Sequence, residues 1–419
     1  MTAVLFSGAI ALSLLLRQRL IVILGLAAAL LYLLYGDGKL SYVVLDVWAA
    51  ADKEVLLSVP LFLLTGNIIA RGSIAERLID VVRAGTRPLP GGLGMAAVLS
   101  CAVFSAISGS STVTLIAVGA IMYPALLNEG YNRSFAIGLI CAAATLGIIV
   151  PPSIPLILYG VITETSVADL FIAGVGPALF LVVLLSAYTV IMNRNARTEP
   201  IDWGVLKRAV KRSGLAIVMP VVILGGIYSG YFTPTESAAV AVAYAILVET
   251  LFHREMGLKA LEETVFQTAR TLGSLVPVLM LALSINTFFA FEQLPQQLVE
   301  IMSANVNSKL AFLAVSMLLL LLFGCFMDIS SAILILAPLL KAIAESYDID
   351  PVQWGIIMIV NLEIGYLTPP LGLNLIIGMT AFRESFWTIA KAAVPFIGLL
   401  LIGLMVTIFW PALSLFLVG

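Results

Sequence analysis

Two apolar runs in this chain cannot cross a bilayer as unbroken helices, because each carries a double proline. Gly147-Ile-Ile-Val-Pro-Pro-Ser153 and Gly365-Tyr-Leu-Thr-Pro-Pro-Leu371 lie 218 positions apart, and the match extends to Gly160 and Gly378 at the same offset. Each run is about 30 residues long, where one crossing needs ~20. Proline removes a backbone donor and bars the residue before it from the helix. Non-helical backbone survives at membrane depth only where protein or a polar cavity surrounds it. Two broken helices at matching places in two halves point to a solute-binding site in a transporter.

Composition sets the solvent. Of 419 residues, 61% are hydrophobic and 11% charged, with a mean hydropathy of +1.11. Soluble domains carry roughly 25% charged residues, so the chain reads as an integral membrane protein. A net charge of −2 gives no reason to expect nucleic acid. Cys101, Cys141 and Cys325 sit singly in apolar runs without metal-ligand spacing and read as small packing residues. His253, beside Arg254, reads as a solvated loop residue. The N-terminus has no basic n-region or cleavage site, and reads as a retained first helix.

Candidate crossings are 3–16, 20–35, 55–70, 134–163, 169–192, 213–230, 235–252, 264–290, 351–380 and 392–416. Two further runs, 91–127 and 307–340, are interrupted by Ser105-Ala-Ile-Ser-Gly-Ser-Ser-Thr112 and by Gly324-Cys-Phe-Met-Asp328. Read as re-entrant hairpins, they leave ten crossings. Eighteen basic residues, from Arg17 to Lys391, then fall on one side, and only Lys39, Lys53, Lys309 and Lys341 on the other. The positive-inside rule makes the first side cytoplasmic and puts both termini in the periplasm. It also opens the two hairpins to opposite sides, as an inverted repeat requires. The five tryptophans (Trp48, Trp203, Trp354, Trp387, Trp410) fall near predicted interfaces. Segments 73–86 and 253–263 read as interfacial amphipathic helices, the second equally as a solvated linker. The predicted fold is an all-α polytopic inverted-repeat ion-transporter fold, one membrane domain in two halves, 1–192 and 193–419.

Hairpin tips and broken helices expose carbonyls, which bind cations, and helix N-termini, which favour anions. The first tip offers the hydroxyls of Ser105, Ser108, Ser110, Ser111 and Thr112, with Gly109 for a tight turn; the second offers Gly324 and Asp328. The breaks add carbonyls around Gly147, Val150 and Pro151, and around Gly365, Thr368 and Pro369. Each half has enough hard oxygens for one sodium ion. The competing reading is that Ser, Gly and Thr only let helices pack closely. Asp328 and Glu363 are acids in the apolar zone, where a charge costs at least ~2.5 kcal/mol. Asp328 is the better cation ligand; Glu363 bonds a neighbouring helix, is a structural acid near the break, or serves the site. Ser108, Ser110, Thr112 and Asn374 are candidate substrate ligands, although helix–helix bonding competes for Asn374. Thr65, Asn67 and Asn361 are weaker candidates, and Glu236 reads as a cap for the helix that follows it.

Pro60-Leu-Phe-Leu-Leu-Thr-Gly-Asn67, Arg71-Gly-Ser-Ile-Ala-Glu-Arg77, Phe104-Ser-Ala-Ile-Ser-Gly-Ser-Ser111, Pro151-Pro-Ser-Ile-Pro155, Phe232-Thr-Pro-Thr-Glu236 and Gly365-Tyr-Leu-Thr-Pro-Pro-Leu-Gly372 follow one another in order. This ordered set, from about residue 55 to 395, resembles the large membrane subunit of tripartite ATP-independent periplasmic (TRAP) transporters. The resemblance implies sodium-driven uptake of an organic acid, such as a C4-dicarboxylate, sialic acid or another sugar or keto acid. It implies an elevator mechanism, with sodium as coupling ion and no other cofactor. It places sodium sites on Ser105, Ser108, Gly109, Gly147, Val150 and Pro151, and on Gly324, Asp328, Gly365, Thr368 and Pro369. It also implies two partners in the bacterial inner membrane and periplasm: a small four-helix membrane subunit, expected as a separate chain, and a soluble substrate-binding protein. Glu363 departs from the family pattern, being an acid where a neutral residue is expected.

The main alternative is a standalone proton- or sodium-coupled organic-anion carrier, with Asp328 or Glu363 carrying a proton. A membrane enzyme is disfavoured: Ser108-Gly-Ser110 evokes an intramembrane serine protease, but no intramembrane histidine or lysine is available as its base.

Overall fold

The structure is a computed structural model that describes residues 2–16, 18–36, 38–194, 198, 200–306 and 308–418. Arg17 and Arg197, counted on the basic side, and Asn307, at the start of the second expected hairpin, lie outside the described residues.

Every regular element among the described residues is helical. Helices α1 (Thr2–Leu15), α2 (Leu20–Leu34) and α3 (Ser41–Ala51) lead to α4 (Ser58–Arg71) and α5 (Ile74–Thr86). Then come α6 (Gly92–Ser108), α7 (Ser111–Asn128), α8 (Arg133–Ile149), α9 (Ile154–Thr163) and α10 (Val167–Met192). Helix α11 (Trp203–Arg212) bends by 63° into α12 (Gly214–Tyr228). Helix α13 (Pro234–Leu247) runs on into a π-turn at Val248–Phe252, before α14 (Leu258–Phe291) and α15 (Leu294–Asn305). The chain closes with α16 (Lys309–Phe326), α17 (Ile329–Ser346), α18 (Pro351–Tyr366), α19 (Leu373–Phe382), α20 (Phe386–Phe409) and α21 (Ala412–Leu415).

Local chemistry fixes the helix starts. Asn132, Ser166, Asp202, Ser308, Asp350 and Ser385 each cap the helix that follows with a side-chain oxygen. Thr233 and Glu236 form a reciprocal capping box at α13, with Pro234 at the first helical position, so Glu236 does cap its helix.

Helices α6 and α7 form a hairpin that returns to its starting side: Gly94 N donates to the Tyr131 hydroxyl, which lies just beyond the end of α7. Helices α16 and α17 do the same, and Lys309 Nζ donates to Asp348 O. The two double prolines separate α8 from α9 and α18 from α19. Val150, held in an extended conformation before Pro151, ends α8, and Ser153 caps α9. The second break is longer, six residues from Leu367 to Gly372. Each hairpin packs on the broken helix that follows it, α6 and α7 on α8 and α16 and α17 on α18. The second hairpin arms also cross over, with α7 on α19 and α17 on α9.

Nine helices, among the described residues, are long and apolar enough to cross a membrane, three of them hairpin arms (α7, α16, α17). Helices α1 and α2 are shorter than expected of crossings. With 14 and 15 residues they reach about 21–23 Å, against a hydrocarbon core of ~30 Å.

Three expectations are corrected. Segment 253–263 is no separate helix, because from Leu258 onward it is the first turn and more of the 34-residue α14. The His253 side chain is 6% exposed rather than solvated, and its Nδ1 hydrogen-bonds Ser73 Oγ at 3.0 Å. Buried Glu249 accepts from Ser73 N and Ile74 N, so a carboxylate on the α13 extension caps α5. Trp354 is fully buried against Phe312 while the other four tryptophans are exposed, so only those four occupy surface positions.

Candidate functional site

At the first tip the sequence Ser-Gly-Ser breaks the hairpin. Gly109 adopts φ +59°, which glycine alone takes without strain, and Ser110 is extended ahead of α7. Three hydroxyls meet behind the turn. Thr114 Oγ1 donates to Ser110 O (2.8 Å) and accepts from Ser108 Oγ (3.1 Å). Ser105 Oγ donates to Cys101 O and lies 3.5 Å from Thr114 Oγ1. Every hydroxyl proton is thereby committed to protein, leaving oxygen lone pairs, the electron donors a hard cation requires.

The second tip is built around Asp328. Its carboxylate caps α17 by accepting from Ser330 N (3.1 Å), Ser331 N (2.9 Å) and Ser331 Oγ (2.5 Å). Tyr366, at the end of α18, accepts from Ile329 N at 2.7 Å. Thr368 Oγ1 turns back onto Ile364 O (2.8 Å). The N-terminus of α17 is therefore saturated by groups of the chain itself.

Both tips lock onto their breaks in the same way. Ile154 N donates to Gly109 O at 3.3 Å, and Gly372 N, 218 positions on, donates to Cys325 O at 3.2 Å. Gly147 and Gly365 are the close-approach points. A Cβ on Gly147 would lie 2.7 Å from the carbonyl of Ser110, and one on Gly365 would lie 2.5 Å from the backbone of Gly324. Thr145 and Glu363, also 218 apart, are neighbours where α8 and α18 pack together. Both Glu363 carboxylate oxygens are buried without a hydrogen-bond partner among the described residues.

A cavity of about 400 Å³ separates the tips. It is lined by Gly109, Ser110, Ser111 and Thr112 on one side and by Asp328, Ile329, Ser330 and Ser331 on the other. Ile154, Pro155 and Leu373, at the starts of α9 and α19, also face it, with Thr271 and Ser274 of α14 along the wall. Four helix N-termini thus converge on one space, and their partial positive charges favour an anion. They are not equivalent. Asp328 already caps α17 and Ser153 caps α9, whereas α7 and α19 start without a side-chain cap. Of the two uncapped starts, that of α7 is flanked by Ser110 and Thr112, both of which line the cavity.

Of the sequence-derived candidates, Gly109, Ser110, Ser111, Thr112 and Asp328 line the cavity. Ser105, Ser108, Gly147, Val150 and Pro151 lie behind it at the first tip and break, and Gly324, Gly365, Thr368 and Pro369 at the second. Asn374 is buried, donates to Ser111 Oγ (2.6 Å) and so ties α19 to the first tip; its amide oxygen has no partner among the described residues. Asn67 bonds Thr268 and Asn361 bonds Met317 O, so both link helices, and neither lines the cavity. Thr65 back-bonds to Leu61 O. Sequence reasoning passed over Thr114, Tyr366, Ser153 and Ser331. Asp328-Ile-Ser-Ser331 did carry a readable signal, a capping aspartate ahead of an apolar helix.

Comparison with known proteins gives the site a context. Residues 7–413 match the family model described as the tripartite ATP-independent periplasmic transporter, DctM component. The chain is 38% identical over 395 residues to a C4-dicarboxylate TRAP transporter large permease of Pseudomonas aeruginosa, covering 94% of this chain and 92% of that one. It is 34% identical over 394 residues to an ectoine/5-hydroxyectoine TRAP large permease of Ruegeria pomeroyi, covering 92% and 91%. In fold it resembles the crystal structure of the Alcanivorax borkumensis YdaH transporter, with a TM-score of 0.66, 15% identity and 91% of each chain covered.

Proposed function

The chain belongs to the DctM family, the large permease component of tripartite ATP-independent periplasmic transporters, and on that premise we propose that it imports a small organic anion through the cavity between its two hairpin tips, driven by sodium. It is a transport permease, not an enzyme. The single observation that carries the reading is the uncapped N-terminus of α7 facing a cavity of about 400 Å³ across from the self-capped Asp328 tip. A carboxylate settles on the free helix start, held by Ser110 and Thr112, with Ser108 behind them and Asn374 fixing the neighbouring Ser111.

In this reading one sodium ion sits in each half. The first is held by Ser105, Ser108, Gly109, Gly147, Val150 and Pro151, and the second by Gly324, Asp328, Gly365, Thr368 and Pro369. A bound cation next to each tip offsets the substrate's charge, which couples the two. The halves 1–192 and 193–419 act as an inverted repeat, and the hairpins with their broken helices slide as an elevator against the remaining helices. The basic face is cytoplasmic, both termini are periplasmic, and the membrane is the bacterial inner membrane. A small membrane subunit and a periplasmic substrate-binding protein complete the transporter. Relatives at similar identity are named for C4-dicarboxylates and for ectoine, which makes these the first solutes to assay.

The test is uptake into proteoliposomes holding this chain, its small subunit and its binding protein, with succinate, sialic acid and ectoine as solutes and an imposed sodium gradient. Accumulation of one solute that needs both sodium and the binding protein is expected. Accumulation driven by a pH gradient without the binding protein would instead mark a standalone carrier.

A further inference from the structure

A second cavity, of about 1190 Å³, lies away from the tips, where the first hairpin begins and ends. Its walls carry four guanidinium groups, Arg83 of α5, Arg87 just past its end, and Arg208 and Arg212 of α11, against the two carboxylates Asp80 and Glu129, while Asp202, the cap of α11, also attracts Arg87 and Arg208. The N-terminus of α6 opens into the same cleft at Gly92 and Leu93 and adds its partial positive charge. Arginine forks suit phosphate oxygens better than lysine ammonium groups do, because two N–H donors meet two acceptors at once. The transport cavity uses none of these groups.

Helix α11 says which phosphate. It turns 63° away from α12 and buries no residue. Arg208 and Arg212 face the cleft together with Val205 and Ala209, at the i, i+3, i+4, i+7 spacing of a single helix face. Trp203 and Val210 lie on a different face, 71% and 44% exposed. Lys207 and Lys211 stand outside the cleft, also exposed. An exposed tryptophan and aliphatic face beside rows of basic residues characterise a helix lying in the headgroup layer. A free anion from water would need the arginines but not that apolar face.

We propose that this cleft binds the headgroup of an anionic phospholipid, whose phosphate bridges the arginines of α5 and α11 while its chains run along the apolar face of α11. Helix α5 leads into the first hairpin and α11 sits at the seam between the halves. The lipid therefore braces the root of the hairpin against that seam.

Native mass spectrometry of the purified full chain tests this, with phosphatidylglycerol, phosphatidylcholine and inorganic phosphate as probes. Phosphatidylglycerol is expected to bind at least about tenfold more tightly than phosphatidylcholine. Arg208→Gln with Arg212→Gln should remove that preference, and so should Arg83→Gln on the opposite wall. Lys207→Gln with Lys211→Gln removes the same charge from α11 outside the cleft and should leave the preference within about twofold. Melting temperatures in phosphatidylcholine alone establish that the variants fold; if the α11 pair does not, Arg83→Gln decides. Equal losses in the arginine and lysine variants would overturn the proposal in favour of diffuse attraction. Full displacement of phosphatidylglycerol by millimolar phosphate would overturn it in favour of a free-anion site.

Discussion

A methyl group added to Gly365 would stand 2.5 Å from the Cα and the carbonyl carbon of Gly324. These are backbone atoms, which cannot rotate aside. Gly147 stands in the same relation to Ser110 at the first break, at 2.7 Å. Gly365→Ala and Gly147→Ala should each lower the melting temperature, at a cost of about 1–3 kcal/mol, and abolish uptake. Gly398→Ala, where nothing lies within 4 Å, is the control and should leave both unchanged. Normal uptake by Gly365→Ala would show that the tip and break need not touch.

Asp328 serves two purposes in this account, capping α17 and holding a cation, and they separate by substitution. Asparagine retains a capping oxygen, so Asp328→Asn should melt near wild type, whereas Asp328→Ala should lose about 1 kcal/mol. Both should lose the sodium dependence of uptake, because neither has a negative charge. Sodium titrations in proteoliposomes decide it, and unchanged sodium dependence in Asp328→Asn would leave the residue with capping alone.

Glu363 is expected to tolerate a neutral isostere. Its two oxygens are buried without partners among the described residues, and its polar neighbour Thr145 already donates its proton to Ala142 O. Glu363→Gln should therefore keep sodium-dependent uptake within about twofold, while Glu363→Ala leaves a void worth about 2–4 kcal/mol. Loss of sodium or proton dependence in a stable Glu363→Gln protein would make the residue an ion carrier.

The joint between α5 and the α13 extension should weaken in acid. Burial and the nearby Arg77 hold the His253 imidazole below its ordinary value of 6.5, against an opposing pull from Glu249. The unfolded chain then binds the proton more readily than the folded one. The stabilisation is complete above pH 6.5 and is lost as pH falls through the lower folded-state value. Between pH 7.5 and 5.5 the wild type should lose more melting temperature than His253→Gln; identical losses would remove His253 from the acid response.

The breaks and tips were legible because Pro-Pro, Ser-Gly-Ser and Gly324–Asp328 act through local backbone rules that a sequence carries openly. The bounds of α8 and α9, Arg133–Thr163, agree closely with the 134–163 read from hydropathy. Tertiary contacts outside the 218-residue correspondence were not legible. Nothing local to Glu249 marks it as a cap, because the two amide donors it accepts come from α5. His253 and Trp354 read as exposed because adjacent residues are charged or lie near a span end, yet packing partners distant in sequence bury them. The Thr145–Glu363 pairing was available from the 218-residue offset, since equivalent positions meet where α8 and α18 pack together.

Cysteines placed at Thr112 and Ser330, one on each tip, report whether the transported acid sits between the tips. Cys101, Cys141 and Cys325 are buried and can be replaced by alanine to silence the background. Maleimide labelling of each single-cysteine protein is measured with the transported acid present, in sodium and in potassium. The acid is expected to slow labelling at both positions by about tenfold or more in sodium and hardly at all in potassium. Labelling that the acid leaves unchanged at both positions, in a protein that still accumulates it, would contradict a substrate site between the tips.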